Sequence, residues 1–246
     1  MNQETILITG GAGAIGAEIA RKLAAPDRCV VINYRGDKTA ALQVTAEIEA
    51  LGGHALAVQA DVSDEKAVEA MFAQIRECCG GLDVLIHNAA PDLEHKSVLK
   101  ASWADFQRQI DVQVKGALLC SQHALKLMRE KKRGHILGIL SAYVLGTPGA
   151  GFSSYVAAKH ALMGLLQCVG VEAVRWGVRV NMLSPSLNQT ELVACMPERV
   201  FEIAAEQHPL GRLCTPADVA GMVKFLLSPE AAYLHLANIP VTGGQA

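Results

Sequence analysis

Short apolar runs alternate along the chain with longer segments in which apolar residues recur at helical spacing. Ile15, Ile19 and Leu23 recur every fourth residue, and residues 68–75 carry apolar side chains at the i, i+3, i+4 and i+7 positions of a one-sided helix. Strands that alternate with such helices form a parallel sheet covered by helices. The runs that we predict to be strands are 5–9, 29–33, 55–59, 84–87, 135–140, 178–183 and 239–241.

No feature of the sequence divides the chain into two units. It contains no Ser/Pro-rich linker, no internal repeat and no block of like charges. We therefore predict that residues 1–246 form a single doubly wound α/β domain of the Rossmann type. Residues 185–209 follow a predicted strand and lack clear periodicity in their first half, so we predict that they form a substrate lid.

Composition excludes several classes of partner. A formal charge of -2 with 51% hydrophobic residues does not suggest a nucleic-acid-binding protein. The N-terminus lacks a signal-like pattern, and no segment reaches about 18 uninterrupted apolar residues, so we expect a cytoplasmic protein that does not enter a membrane. The seven cysteines and eight histidines show no metal-ligand spacing, and we predict no metal site.

The first predicted strand runs directly into a glycine-rich turn that opens a helix. Gly10, Gly13 and Gly16 are each separated by two residues, with Ala14 and Ile15 before the last glycine. Glycine permits a tight turn and close approach of the backbone to a pyrophosphate, and the helix N-terminus offers unpaired N–H groups. The turn predicts a dinucleotide-binding loop; a purely structural turn is the alternative.

The end of the second predicted strand indicates which dinucleotide binds. Enzymes that use NAD place a carboxylate at the end of this strand, about 20 residues beyond the glycine loop, but here the first acidic residue after the strand is Asp37. Arg35 is placed to meet a 2′-phosphate, and Tyr34 is placed to stack near the adenine. We predict NADP(H) as the cofactor, with a solvated surface arginine as the alternative reading of Arg35.

Polar residues also follow the third and fourth predicted strands. Asp61 and Val62 follow the third strand, and Asn88 and Ala89 follow the fourth. Ligands of open α/β sheets bind at these carboxyl ends, where Asp61 could accept a hydrogen bond from the adenine amino group and Asn88 could fix the backbone beside it. Both residue types also favour local caps and turns, so that reading stays open.

A tyrosine and a lysine one helical turn apart supply candidate acid-base chemistry. Tyr155 and Lys159 project from the same helical face, and a free phenol has a pKa of about 10. A nearby ammonium and a cationic nicotinamide favour the phenolate, so Tyr155 could donate its proton during carbonyl reduction and recover it in reverse. Ser141, after the fifth strand, could hydrogen-bond the oxygen that becomes negative during hydride attack.

These motifs together resemble the short-chain dehydrogenase/reductase family over essentially the whole chain. Within the family, the spacing and the C-terminal part are most similar to bacterial 3-oxoacyl-acyl-carrier-protein reductases. The segments that carry the resemblance are 9–16, 61–62, 88–90, Ser141, 155–159, 181–190, 209–212 and 225–226.

The resemblance implies a sheet of seven parallel strands, a catalytic set of Ser141, Tyr155 and Lys159, and a homotetramer or homodimer. It further implies that Lys159 holds the nicotinamide ribose. By the same resemblance, the turn after the sixth strand contacts the nicotinamide or the pyrophosphate through Pro185, Leu187 and Thr190.

The chain departs from the family pattern at several positions. Ala14 and Ser186 each replace a common glycine, and the interval from Ser141 to Tyr155 is one residue longer than usual. Gln113 stands where the family usually carries the asparagine that anchors a proton-relay water. We expect Gln113 to serve the relay with an amide one methylene longer, and we expect a specialised enzyme.

Three functions remain open at this stage. The first is an NADPH-dependent reductase of 3-oxoacyl thioesters, bound to coenzyme A or an acyl carrier protein, in fatty-acid-like or polyketide-like biosynthesis. The second is the same fold acting on an enoyl thioester, a sugar or a cyclic ketone. The third is a non-catalytic nucleotide-binding scaffold. A basic run at residues 131–133 either ends a helix or docks an acidic carrier protein.

Overall fold

A parallel sheet of seven strands forms the centre of the molecule. The computed structural model describes residues 3–188, 190–193 and 197–244. The predicted doubly wound α/β fold of the Rossmann type is confirmed, and every predicted strand is present. The strands are β1 (Glu4–Ile8), β2 (Arg28–Tyr34), β3 (His54–Gln59), β4 (Val84–His87), β5 (Gly134–Ile139), β6 (Val178–Pro185) and β7 (Asn238–Val241).

The order of the strands creates a crevice at one edge of the sheet. The spatial order is β3-β2-β1-β4-β5-β6-β7, and all neighbouring pairs are parallel. After β1 the chain proceeds outward to β2 and β3, and it then returns to build the other half from β4. The connections that leave β1 and β4 therefore diverge, and they leave an opening at the carboxyl ends of these two strands.

Helices cover both faces of the sheet, as the alternating pattern predicts. One face packs against α1, α2 and α8, and the other against α3, α5 and α6. The helices are α1 (Ala14–Leu23), α2 (Lys38–Ala50), α3 (Glu65–Cys79), α4 (Trp103–Ile110), α5 (Gly116–Lys131), α6 (Ser153–Ala173), α7 (Glu198–Gln207) and α8 (Pro216–Leu227). Between α4 and α5 the helix continues through a π-helical turn at Asp111–Lys115.

Strand periodicity sends neighbouring residues of β2 into different environments. Val30, Ile32 and Tyr34 belong to the core under α1 and α2, whereas Val31 belongs to the core on the opposite face. Asn33 lies on the same face as Val31, because successive side chains of a strand alternate. Tyr34 is consequently a core residue, and Asn33 faces the opposite side at the carboxyl end of the strand.

The basic run at residues 131–133 ends a helix and forms ion pairs. Lys132 has a left-handed backbone (φ 52°) that closes α5. The buried carboxylate of Asp83 accepts hydrogen bonds from the Thr5 backbone N–H at 3.0 Å, from Lys131 Nζ at 2.9 Å and from Arg133 Nη2 at 3.2 Å. Two of the three cations are therefore engaged within the chain, which supports the helix-end reading of the run.

The segment predicted to be a lid is partly regular. β6 runs two residues beyond its predicted end, to Pro185, because Ser184 and Pro185 pair with β7. Helix α7 occupies the second half of the segment, whereas residues 189 and 194–196 lie outside the described residues. In the part of the chain that the structure describes, no helix is both long and apolar enough to cross a membrane.

Candidate active site

The glycine turn between β1 and α1 is held by close backbone packing. Gly10 has a φ of +60°, which favours glycine. A Cβ on Gly16 would lie 2.5 Å from the Gly10 carbonyl oxygen and 2.8 Å from Gly11 Cα, so a side chain at residue 16 would displace the backbone. No side chain caps α1 at Gly13, and Ala14 begins the helix at the surface. The first N–H groups of α1 are therefore open to an anionic ligand.

Two asparagines tie this turn to neighbouring strands. Asn88 Nδ2 donates to the carbonyl oxygens of Thr9 at 3.1 Å and Gly10 at 3.0 Å, while the backbone N–H of Asn88 donates to Thr9 Oγ1. Asn33 Oδ1 accepts from the Gly10 N–H at 3.3 Å, and Asn33 Nδ2 donates to the Ala60 carbonyl at 3.0 Å. The amide side chains thus fix the turn from two sides.

The carboxyl end of β2 places Arg35 and Tyr34 differently from one another. Arg35 is exposed at the rim of the opening, beside the Asp61 carboxylate. The Tyr34 ring is only 7% exposed and packs in the core, because the strand alternation directs it inward. Tyr34 also belongs to the wall of the opening, and its stacking on adenine stays a prediction.

Asp61 is held in a local turn. Its Oδ1 accepts from the Ser63 N–H at 2.9 Å and from Ser63 Oγ at 2.6 Å. Partial burial alone would raise the pKa of Asp61, but the bonds from Ser63 and the charge of Arg35 outweigh it and lower the pKa. Asp61 is therefore an ionised acceptor at neutral pH, and it has both the turn role and a place beside the opening.

A cavity of about 400 Å³, which we call the loop cavity, runs from the glycine turn to the end of β2. Its walls include eleven of the residues predicted to hold the cofactor. They are Gly10, Gly13, Ala14, Ile15, Tyr34, Arg35, Asp61, Val62, Asn88, Ala89 and Thr190. Gly16 is absent from this wall because its contribution is to let α1 approach the turn.

A second cavity of about 310 Å³, the phenol cavity, adjoins the first. It contains the predicted catalytic residues Ser141, Tyr155 and Lys159, together with Pro185 and Leu187. The two cavities have wall residues in common, so they form one continuous site. The common residues are Ile15, Asn88, Ala90, Thr190 and Leu192.

Tyr155 and Lys159 lie together in the first turns of α6, as their spacing predicts. Lys159 Nζ is 5.5 Å from the centroid of the Tyr155 ring and donates a 2.7 Å hydrogen bond to the Ile139 carbonyl. Both residues are buried. The bond to the end of β5 fixes the lysine, which leaves its other protons for a ligand in the cavity.

Burial changes the pKa of both groups. It raises the pKa of Tyr155 to about 12, although the neighbouring Ser141 hydroxyl reduces this effect. It lowers the pKa of Lys159 to about 7, because an ammonium is costly away from water. The spacing of the two residues predicts a phenolate favoured by the ammonium and by a cationic nicotinamide, without the effect of burial. In the protein itself burial dominates, and Tyr155 is a protonated donor throughout the neutral range.

The structure places Gln113 away from the phenol cavity. Its Nε2 donates to Gln109 Oε1 at 2.6 Å, and Gln109 Nε2 in turn donates to the Asp92 carbonyl at 3.3 Å. Gln113 Oε1 is buried and has no partner among the described residues, and Gln113 lines a void of about 10 Å³ together with His87. The predicted relay role of Gln113 stays a prediction.

An apolar cluster covers Tyr155 from the side of the predicted lid. Leu93 and Phe152 pack there against Tyr155, Val193 and Phe201. The Leu93 N–H also donates to the Leu192 carbonyl at 3.2 Å, which links the loop after β4 to the segment after β6. These contacts exclude water from the phenol, and they account for its burial.

Sequence reasoning missed four residues of this site. Asn33 braces the glycine turn, Gln109 orients Gln113, Leu192 lies where the two cavities meet, and Tyr143 contributes a second phenol to the phenol cavity. Asn33 could have been found, because strand alternation places it opposite the core residue Tyr34 at the end of β2. The other three depend on contacts between distant segments.

The histidines have structural contacts. His87 Nε2 hydrogen-bonds Ser121 Oγ at 2.9 Å, and His208 Nε2 donates to the Thr242 carbonyl at 2.9 Å. Burial lowers the pKa of His87 to about 3, so its ring is neutral. Within residues 3–188, 190–193 and 197–244, no three His, Cys, Asp or Glu side chains form a group that could hold a metal ion.

The joined cavities fit an extended dinucleotide. The uncapped start of α1 and the brace of Asn88 suit a pyrophosphate, the rim at Arg35 suits the adenosine end, and the phenol cavity brings the nicotinamide end toward Tyr155. The arrangement is suited to hydride transfer beside a proton donor.

Comparisons with known proteins give one family over the whole chain. A family profile described as enoyl-(acyl carrier protein) reductase matches residues 10–246. The 3-oxoacyl-[acyl-carrier-protein] reductase of Synechocystis sp. is 34% identical over 99% of this chain and 97% of the relative.

Two solved structures share the fold and differ in what they bind. A 7α-hydroxysteroid dehydrogenase in complex with NADH and 7-oxo glycochenodeoxycholic acid is 28% identical, with a TM-score of 0.92 over 99% of this chain and 94% of that one. A short chain dehydrogenase from Burkholderia cenocepacia in complex with NADP is 30% identical, with a TM-score of 0.89 over 99% of this chain and 98% of that one.

Proposed function

Because the chain belongs to the short-chain dehydrogenase/reductase family of nicotinamide-dependent oxidoreductases, we propose that it reduces the ketone of 3-oxoacyl thioesters with NADPH. One observation carries the proposal. The protonated Tyr155, the anchored Lys159 and Ser141 line one cavity that opens into the loop cavity. A ketone in the phenol cavity would thus meet a proton donor on one side and the nicotinamide end of a bound dinucleotide on the other.

Each side chain of the site has a separate role in the proposed reduction. Bound NADPH would supply the hydride, held by the glycine turn, Asn88 and Arg35. Ser141 Oγ donates to the carbonyl oxygen as negative charge develops on it. Tyr155 then transfers its proton: the O–H bond of the phenol breaks and an O–H bond forms on the substrate oxygen. Lys159, fixed by the Ile139 carbonyl, stabilises the resulting phenolate while its cationic form is present.

Arg35 supports NADPH over NADH. It stands at the end of β2, exposed on the wall of the loop cavity, and residues 34–36 carry no carboxylate. A guanidinium in this place can bind a 2′-phosphate through charge-assisted hydrogen bonds. We expect Arg35→Ala to raise the dissociation constant of NADPH about tenfold and that of NADH less than twofold, as measured by nicotinamide fluorescence titration. Equal losses for both cofactors would show that Arg35 does not bind the phosphate.

Turnover of thioesters tests the main proposal. Purified protein supplied with NADPH and acetoacetyl or longer 3-oxoacyl thioesters should oxidise the cofactor, and Tyr155→Phe should remove all but a residual fraction of the rate. Tyr233→Phe, at a fully exposed phenol, is the matched control and should leave the rate unchanged. Absence of oxidation above the Tyr155→Phe level would refute the proposal. A panel with an enoyl thioester, a sugar and a cyclic ketone would then identify the class that is reduced.

The setting of the reaction follows from the same proposal. We expect a substrate attached to coenzyme A or to an acyl carrier protein, a role in fatty-acid-like or polyketide-like biosynthesis, and a homotetramer or homodimer. Exposed apolar side chains before and in α4, Val98, Leu99 and Trp103, support self-association, which light scattering after size-exclusion chromatography would measure. The six cysteines that the structure describes are unpaired, which supports a cytoplasmic location.

A further inference from the structure

A second phenol lies in the phenol cavity beside the proposed proton donor. Tyr143 belongs to a short 3₁₀ turn at Ala142–Val144, directly after Ser141, and its half-buried side chain lines the cavity with Tyr155. Tyr143 also packs against the apolar cluster that contains Tyr155, so the two phenols are neighbours. The mechanism above assigns no role to Tyr143.

The position of Tyr143 is well defined. Its backbone N–H donates to Ser141 Oγ at 3.3 Å, which ties the turn to the oxygen-binding serine. Its ring packs against the buried Phe152 with 5.8 Å between centroids. A Cβ added to Gly149 would lie 3.2 Å from the Tyr143 hydroxyl oxygen, so the hydroxyl lies directly beside the Gly149 backbone. Tyr143 is thus oriented before a substrate arrives.

The hydroxyl of Tyr143 is a free donor. It has no hydrogen-bond partner among residues 3–188, 190–193 and 197–244. Burial raises the pKa of Tyr143, so the phenol is protonated at neutral pH. Tyr143 lines the phenol cavity, and a protonated phenol in such a lining favours a ligand that carries an acceptor oxygen, because an unpaired donor is costly once a ligand excludes water. Tyr155 and Ser141 already serve the reacting oxygen, which leaves Tyr143 for a second one.

We propose that Tyr143 selects substrates with a second carbonyl oxygen in the 1,3 relation to the reacting ketone, and that its hydroxyl donates a hydrogen bond to that oxygen. The proposal rests on the proposed reductase function and deepens it. In a 3-oxoacyl thioester the second oxygen is the thioester carbonyl. Tyr143 is then a specificity-determining residue that touches the substrate, whereas Tyr155 performs the proton transfer.

A matched pair of substrates tests the role of Tyr143. One is the 3-oxobutanoyl thioester of N-acetylcysteamine, and the other is the corresponding 3-oxobutyl thioether, in which a methylene replaces the thioester carbonyl. Tyr143→Phe should lower kcat/KM for the thioester about tenfold and that for the thioether less than twofold. The comparison of two enzymes on two substrates cancels the greater intrinsic reactivity of the thioester ketone.

Controls separate the possible failures. Tyr143→Phe keeps the ring that packs on Phe152, and its thermal unfolding should match that of the wild type. Tyr233→Phe should leave kcat/KM unchanged for both the thioester and the thioether. Equal losses on the thioester and the thioether, or no loss on either, would overturn the role of Tyr143 while leaving the reductase function in place. If the wild type reduces neither compound, the proposed function itself fails.

Discussion

The substitution Gly16→Ala should separate two effects of alanine that usually act together. In the interior of a helix, alanine stabilises by about 1 kcal/mol relative to glycine. At Gly16 the added Cβ would lie 2.5 Å from the Gly10 carbonyl oxygen and 2.9 Å from Asn88 Nδ2. The first neighbour is backbone, so no rotamer change relieves the contact. Crowding of this kind costs about 1–3 kcal/mol of folding stability. Because the helix propensity of alanine offsets about 1 kcal/mol of this cost, we expect the free energy of unfolding to fall by roughly 0–2 kcal/mol.

Gly16→Ala should weaken cofactor binding more than it lowers the free energy of unfolding. Relief of the contact moves the Gly10 carbonyl and the Asn88 amide, which together shape the turn that faces the loop cavity. We expect the dissociation constant of NADPH to rise at least about tenfold, or ~1.4 kcal/mol. Urea unfolding measures the change in the free energy of unfolding, and nicotinamide fluorescence titration measures the change in the dissociation constant of NADPH.

Gly164→Ala is the matched control. Gly164 also lies within a helix, α6, but a Cβ there would have no neighbour within 4 Å. The same chemical change should therefore stabilise by up to about 1 kcal/mol and leave cofactor affinity unchanged. The reasoning is refuted if Gly16→Ala stabilises the protein as Gly164→Ala does and binds NADPH with wild-type affinity.

Two further predictions concern buried charges and their pH dependence. Asp83→Asn should cost about 1.5–3 kcal/mol at neutral pH in urea unfolding, because Lys131 and Arg133 lose their anionic partner. The pKa of Asp83 is lowered in the folded protein, so its carboxylate contributes to the free energy of unfolding above about pH 4. Below that pH the difference in free energy of unfolding between the wild type and Asp83→Asn should become smaller. A difference that stays constant would contradict the ion pairs. Lys159→Met should abolish activity and change the pH profile of stability. Since burial lowers the pKa of Lys159 to about 7, wild-type stability should rise relative to the variant by roughly 1–2 kcal/mol from pH 7 to pH 8.5, and parallel profiles would show that the lysine is not desolvated.

Much of the fold follows from local pattern. The apolar runs predict all seven strands. The inner strands are buried on both faces and give nearly continuous apolar runs, and the half-buried edge strands β3 and β7 still carry short apolar runs between turns. The end of β6 was predicted two residues early, since a proline rarely continues a strand. Pairing with β7, which is distant in sequence, extends β6 to Pro185.

In the candidate site, too, the sequence predicts features that are local and misses features that depend on contacts between distant segments. Tyr155 and Lys159 are one helical turn apart, so their proximity is a local property that the sequence predicts. The surroundings of Gln113 depend on a π-helical turn and on Gln109, and no sequence spacing indicated this turn. The pKa of Tyr155 depends on the cluster that packs over it from two other loops, which is why the sequence argument omitted the effect of burial.

The hydrogen bond from the Leu93 N–H to the Leu192 carbonyl links two loops, and Leu192 lies in the walls of both cavities. A ligand that shifts this residue in one cavity changes the shape of the other. Binding in the two cavities is then thermodynamically linked, and the linkage is reciprocal: the factor by which bound cofactor changes substrate affinity equals the factor by which bound substrate changes cofactor affinity. We therefore predict that cofactor and substrate change each other's affinity by one common factor, which titration of each ligand in the presence of the other measures.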